Sequence, residues 1–162
     1  MASDFFIKID GVDGESNDKN HGKWIEVVSF SQGALQNIGA GRGTDTSGRG
    51  QFLPFTFTHL LDKATPKLQQ FCMNGQKVAT VEFQVCRAVG AAQVPVYEVK
   101  LENVKIARAE IKVERTAENQ DALPVEEVQL IPGKITWKVT AIKPDGSKDG
   151  AVETNFNQIE NA

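Results

Sequence analysis

The chain has 162 residues, 40% of them hydrophobic, and its 18 basic residues nearly balance 21 acidic ones. This length supports one sizeable core and is too short for two, so we expect a single domain spanning residues 1–162. With a pI near 5.4, the chain lacks the basic field that drives phosphate binding, and we expect no nucleic-acid partner.

Neither a membrane segment nor a leader is evident in the sequence. No stretch approaches the ~20 consecutive apolar residues of a membrane-spanning helix, and the opening Met-Ala-Ser-Asp-Phe-Phe has neither a basic region nor an apolar signal core. We therefore expect no membrane insertion, no cleaved signal peptide, and folding in the cytoplasm before any export. Cys72 and Cys86 are too few for a disulfide framework, and we interpret both as buried free thiols.

The first half of the chain is predicted to contain three strands and a glycine-rich loop. Residues 6–12 and 24–30 have strand-like patterns, joined by a polar stretch over 13–22, and residues 52–58 form a third strand. The loop over 39–50 has five glycines in twelve residues. Because glycine loses more backbone entropy on ordering than any other residue, we expect this loop to be mobile until a partner holds it.

One helix is predicted, at about residues 65–74. Thr65 is suited to cap it and Pro66 to occupy its first position. Gly75 follows as a left-handed stop. An isolated helix this short is marginal, so it must be stabilised by docking on the sheet. Its apolar face has i, i+3, i+4 spacing: Leu68, Phe71 and Cys72.

The second half of the chain alternates apolar and polar residues with period 2, which predicts strands. The apolar positions of 97–113 change parity twice, so we predict bulges or bends near Asn103 and Arg108. Another parity change falls at Pro132-Gly133, where the missing N–H of proline predicts a bulge, an edge or a tight turn. Such bends curl a sheet toward a barrel.

The glycine-rich loop invites comparison with phosphate-binding loops, whose backbone N–H groups hold anions. It has no Gly-Lys-Ser/Thr ending, and the segment that follows is a predicted strand where a phosphate loop requires a helix. We therefore favour a flexible loop or a subunit contact over nucleotide binding.

Three places in the sequence carry residue types that could bind metal or act in catalysis. The acidic turn formed by Asp10, Asp13, Glu15 and Asp18 departs from the EF-hand pattern, so a solvated turn is favoured over a hard-cation site. His21 and His59 lack partners at metal-ligand spacing and are interpreted as surface or hydrogen-bonding residues. A Cys72–His59 dyad is disfavoured because Cys72 falls on the buried helix face. We predict no catalytic residue, metal or cofactor.

An ordered series of segments connects the chain to a known family. The segments are FIKIDGVDGES (6–16), His21, WIEVVSFSQG (24–33), FTHLLDKATPKL (57–68), the strand pattern over 81–87 and KDG (148–150). Together they resemble the haemolysin-coregulated protein (Hcp) family, the inner-tube protein of type VI secretion systems, over nearly the full length.

The resemblance implies a mainly β fold: a two-sheet, barrel-like domain with one main helix (about 65–74) and a long extended loop (about 39–50). It implies a non-enzymatic subunit whose hexameric rings stack into a tube. A contractile sheath expels that tube, which can carry effector proteins in its lumen. Implied partners are further copies of the chain, a spike protein, the sheath, baseplate components and effectors. The implied location is the bacterial cytoplasm before firing, then the extracellular space or a target cell.

The resemblance also assigns roles to particular residues. Ser31 matches a lumen-facing position and is the candidate cargo contact, although it can equally be a small residue on a crowded strand. Arg42, Asp45 and Arg49 lie in the loop that reaches a neighbouring ring, and they are the candidate ring-to-ring contacts. Two other functions remain open: a phage tail-tube protein, which shares the architecture, and a small-ligand barrel or enzyme.

Overall fold

The computed structural model describes residues 3–38 and 48–162, which form a mainly β structure with one helix. The predicted fold class is confirmed. The elements in chain order are β1 (Ser3–Ile9), β2 (Ile25–Val27), β3 (Ser29–Ser31), β4 (Ala34–Leu35), β5 (Gln51–Phe52), β6 (Phe55–Leu60), α1 (Thr65–Asn74), β7 (Lys77–Val89), β8 (Ala92–Lys112), β9 (Val125–Ile131), β10 (Lys134–Ile142) and β11 (Lys148–Asn157).

Two antiparallel sheets are present in the described residues. The main sheet has nine strands in the path β2-β1-β7-β8-β9-β6-β3, with β10 attached to β8 and β11 to β10, while β4 and β5 form a second, two-stranded sheet. The path ends, β2 and β3, are consecutive in sequence and separated only by Val28. The sheet curls until the Val28 N–H donates to the Thr58 carbonyl at 2.7 Å. β2 and β3 do not pair with each other, however, so the curl stops short of a closed barrel.

The longest strand, β8, bends at Asn103, which has a positive φ of 55°. Before the bend β8 pairs with β10, and after it with β9. Gly133, between those two partners, donates its N–H to the carbonyls of Glu102 at 3.0 Å and Asn103 at 3.1 Å. A second irregularity lies between Ile106 and Arg108. Both predicted bends of β8 and the bend at Pro132-Gly133 are therefore confirmed.

Helix α1 matches the predicted range, but its N-terminal cap does not match. Ala64 is the capping residue and makes no side-chain cap bond, so the cap assigned to Thr65 is wrong. Asp62 Oδ1 accepts the Ala64 N–H at 2.9 Å. Ala64 therefore takes the capping position, and Thr65 is the first residue of the helix. Gly75 ends the helix in the left-handed conformation, as predicted. No helix among residues 3–38 and 48–162 is long and apolar enough to cross a membrane.

The core lies inside the curl of the main sheet and beneath α1, which docks on it through buried Leu68 and Phe71. Phe55 and Phe83 meet edge to face, with ring centroids 5.1 Å apart, and Phe30 lies 4.5 Å from Phe83. Inward positions on neighbouring strands thus supply most of the buried apolar area, which is the main source of stability in a domain of this size. The largest fully buried apolar side chains are Phe55, Phe57, Phe83, Ile7, Ile9, Ile25, Leu68, Leu101, Leu130 and Ile135.

Candidate functional site

The base of the glycine-rich loop is the part of the predicted ring contact that the structure describes. Arg42 and Asp45 lie outside the described residues, whereas Arg49 lies within them. In the chain the loop lies between β4 and β5, which pair as Ala34 with Phe52 and Leu35 with Gln51. The predicted loop thus starts and ends on a small two-stranded sheet.

Arg49 contacts the C-terminal tail of its own chain. Its Nη2 donates to the backbone carbonyls of Gln158 and, at 3.1 Å, Ile159. The guanidinium group has five donors in a planar fork, so this contact leaves others available. Contact of Arg49 with a neighbouring ring stays a prediction.

Gln158, in the C-terminal tail, binds the base of the loop through its side chain. Its Oε1 accepts the Phe52 N–H at 3.2 Å, and its Nε2 donates to the Gly50 carbonyl at 3.1 Å. Its own backbone N–H donates to the Gly133 carbonyl at 2.8 Å. On the edge of β5 that faces away from β4, the side-chain amide of Gln158 therefore takes the place of a neighbouring strand. A single glutamine near a chain end carries no sequence signal, so this residue was missed.

Aromatic contacts hold β5 against the strand pair β10–β11. Phe52 meets Trp137 and Phe156 edge to face, at centroid distances of 6.0 and 5.9 Å. The Trp137 indole N–H donates to Gln32 Oε1 at 3.1 Å, which ties the chain just before β4 to the same layer. Edge-to-face pairs of this kind add to the free energy gained by burying the rings.

Ser31, the candidate cargo contact, is the last residue of β3. It is exposed and pairs with Thr56 of β6. Within the described residues β3 has no strand on its other side, so Ser31 lies at the border of the main sheet. This position is accessible, and its place in a lumen stays a prediction.

His59 is fully buried, so of its two interpretations the surface position is wrong and the hydrogen-bonding role is confirmed. Its Nε2 lies 2.7 Å from Glu126 Oε1, and Gln69 of α1 donates to the other carboxylate oxygen at 2.7 Å. Asp62 Oδ1 is 3.7 Å from His59 Nδ1. Burial by itself lowers the pKa of His59, but hydrogen bonding and the charges of Asp62 and Glu126 outweigh burial and raise the pKa to about 9. His59 and Glu126 thus form a buried charged pair, and the hydrogen bond from Gln69 to Glu126 joins α1 to β6 and β9.

His21 is also buried, and the hydrogen-bonding interpretation is confirmed for it as well. Its ring nitrogens lie 2.6 Å from Asp18 Oδ1 and 2.7 Å from Gln84 Oε1. The ring stacks on Phe6 with centroids 4.1 Å apart. Cys86 Sγ is 3.8 Å from His21 Nε2, yet burial and nearby carboxylates raise the pKa of this thiol to about 11. A thiol that stays protonated is a poor nucleophile, so this pair serves packing.

The two thiols are free and differ in exposure. Cys86 is buried, as predicted, whereas Cys72 on α1 is only half-buried. The polar neighbours of His59 are carboxylates and not Cys72. Across residues 3–38 and 48–162, no three His, Cys, Asp or Glu residues gather as a metal site.

The chain matches known proteins over almost its whole length. The family model described as "Type VI secretion system effector, Hcp" matches residues 6–139. Protein hcp1 of Pseudomonas aeruginosa is 31% identical over 163 residues, covering 99% of this chain and 98% of that protein.

Solved structures agree with this match. The structure of a type six secretion system protein superposes with a TM-score of 0.88 at 26% identity, covering 99% of both chains. Hcp1 from Salmonella typhimurium shares the fold with a TM-score of 0.78 at 21% identity, covering 99% of this chain and 97% of the other. Since the family model spans most of the residues and a full-length relative exceeds 30% identity, the chain belongs to the Hcp family of type VI secretion proteins.

Proposed function

We propose that this chain is a structural subunit of the type VI secretion inner tube, in which hexameric rings stack and a contractile sheath expels the stack. The observation that carries the proposal is an Hcp fold with an open sheet edge. β11 pairs only with β10 among the described strands, and its Val152 side chain is 77% exposed. Long unpaired edges favour pairing with other chains, so a subunit that assembles has a use for this one.

The remaining roles follow from the same proposal. The subunit is not an enzyme; its partners are copies of itself, the spike protein, sheath and baseplate components, and effectors in the lumen. It resides in the bacterial cytoplasm before firing and then reaches the extracellular space or a target cell without cleavage of a signal peptide. A phage tail-tube role is less well supported, because the matching family and the relatives reported above belong to type VI secretion.

The test is the mass and shape of the purified protein. Light scattering is expected to give particles about six times the 17.7 kDa chain mass, and electron micrographs are expected to show annular particles with a central hole. A repeated head-to-tail interface gives a ring when its rotation closes and a filament when it does not, so particle shape distinguishes the proposed ring from an open polymer. A protein that remains monomeric at high concentration and in crystals contradicts the proposal.

Ser31 provides a test of the cargo contact. We expect Ser31→Gln to reduce co-purification of a lumen-bound effector severalfold, because a larger polar side chain at this exposed position displaces the partner surface. Ring mass by light scattering is the control and should not change. Full effector retention by rings of the variant contradicts the role assigned to Ser31.

A further inference from the structure

The small sheet that carries the glycine-rich loop is too small to hold its own orientation. β4 and β5 contribute two residue pairs, and isolated two-stranded hairpins are marginal even when longer. Two backbone bonds extend the pairing, from Gly48 N–H to the Asn37 carbonyl at 2.7 Å and from Leu53 N–H to the Gly33 carbonyl at 2.8 Å. The orientation of this sheet must therefore depend on contacts with the rest of the molecule.

The C-terminal tail, residues 157–162, supplies such contacts at the edge of β5 that β4 leaves free. Gln158 pairs with the Phe52 N–H and the Gly50 carbonyl, as a neighbouring strand would. Arg49 reaches in the opposite direction, from the loop base to the tail carbonyls. Two independent side chains, one on each segment, thus make the same connection.

The tail is itself fixed to the body of the domain. Asn157 and Ala162 exchange backbone hydrogen bonds of 2.6 and 3.1 Å, which closes the tail into a turn. The Asn157 side chain accepts the Ile159 N–H at 3.0 Å, inside this turn. Gln158 binds Gly133, at the bend where β9 passes into β10. A tail anchored in this way can hold the loop base in place.

We infer that Gln158 and Arg49 form a clamp through which the C-terminal tail positions the base of the glycine-rich loop, and that ring stacking depends on this clamp. The second part rests on the proposed tube function; the first part does not. Both side chains act through the loop and are positioning residues. The clamp makes the C-terminus a point from which loop orientation is controlled, so a partner or fusion that displaces the tail weakens stacking.

The experiment compares the wild-type chain with Gln158→Ala, Gln158→Glu and Glu160→Ala. Hydrogen exchange followed by mass spectrometry reports on the peptide covering residues 48–54. Because local opening governs amide exchange, we expect this peptide to exchange about tenfold faster in Gln158→Ala. Gln158→Glu keeps an acceptor for the Phe52 N–H but sets a carboxylate oxygen against the Gly50 carbonyl, so faster exchange than in the wild type is expected for this variant too. Glu160 is exposed on the same tail and should leave the rate unchanged.

The same variants are then examined for ring mass and for the fraction of rings in stacks. Intact rings with reduced stacking in Gln158→Ala, and wild-type stacking in Glu160→Ala, support the proposal. Unchanged exchange over residues 48–54 overturns the clamp, and faster exchange with unchanged stacking overturns its link to assembly. If the wild-type chain forms no rings, the tube function and the stacking role fail together, while the exchange data still test the clamp.

Discussion

At the scale of single residues, the main finding is that both histidines are buried in hydrogen-bonded clusters. His59 and Glu126 are each fully buried and form a charged pair. A buried ion pair is weak evidence of net stabilisation, because desolvation offsets much of the attraction, but breaking one partner is costly. The His59 side chain in the segment 57–68 therefore has a structural role, as the buried partner of Glu126.

Stability is expected to fall as pH rises through the pKa of His59. The folded-state pKa of about 9 lies above the ordinary value of 6.5, so the contribution is fully present below about pH 6.5 and lost toward pH 9. At about 1.4 kcal/mol per pKa unit, roughly 2–4 kcal/mol of unfolding free energy depends on this group. Urea unfolding from pH 6 to 9.5 measures the loss.

Two neighbouring carboxylates offer a matched comparison for this pH dependence. Glu126→Gln removes the buried partner and should abolish most of the decline between pH 6.5 and 9, at a cost of about 3 kcal/mol at neutral pH. Glu127→Gln breaks an exposed pair with Lys112 and should change stability by less than about 1 kcal/mol. Equal effects of the two substitutions would show that burial of the His59 pair has no thermodynamic weight.

At the scale of elements, bends and tight approaches decide how the strands are arranged. The bend at Asn103 lets one edge of β8 serve two partners, β9 and β10. The polar segment before β2 is equally constrained, because the Gly14 N–H donates to the Lys23 carbonyl at 2.7 Å. These segments look like ordinary turns in the sequence, yet they set the register of the strands that follow.

Gly14 and Gly22 test this constraint. A Cβ on Gly14 would lie 2.4 Å from the Trp24 carbonyl oxygen, whereas a Cβ on Gly22 would have no heavy atom within 4 Å. We expect Gly14→Ala to destabilise the subunit by about 1–3 kcal/mol, as overpacking does, and Gly22→Ala to be nearly neutral. Thermal unfolding of both variants measures the difference. Similar melting temperatures would contradict the close backbone approach.

At the scale of the whole molecule, the subunit combines a buried core with sheet edges and apolar side chains that it does not cover itself. Val28, Val139 and Val152 are each more than half exposed. Scattered exposed apolar residues are ordinary on protein surfaces. In this Hcp fold, however, they occur together with the open edge of β11. The proposed assembly into rings would account for both features together.

Charge reversal in the glycine-rich loop tests whether its arginines contact a neighbouring ring. We expect Arg42→Glu combined with Arg49→Glu to weaken ring stacking while single rings stay intact, because the loop, and not the main sheet, is assigned to the ring junction. Sedimentation separates stacks from rings. Since Arg49 also binds the tail, Arg42→Glu alone isolates the effect of the ring junction. Normal tube formation by the double variant refutes the contact assigned to these two residues.

The sequence by itself predicted the helix, the long strands β7 to β10 and the family, but neither β4 nor β11, and it predicted one strand over 24–30 where the structure has β2 and β3. Period-2 alternation identified the long strands, parity changes identified the bends at Asn103 and Pro132-Gly133, and Gly75 marked the helix end. These features are local, since each depends on side-chain spacing or backbone conformation within a few residues. The ordered family segments extended the prediction to assembly.

Only the tertiary structure decided which distant residues meet. His59 and Glu126 are 67 positions apart, and Arg49 and Gln158 are 109 apart. No local pattern marks such partners, because a buried polar contact depends on which strands become neighbours and on the side chains left facing each other. Local patterns likewise do not show how far the main sheet curls: only the structure shows that the Val28 N–H reaches the Thr58 carbonyl while β2 and β3, consecutive in the chain, do not pair with each other.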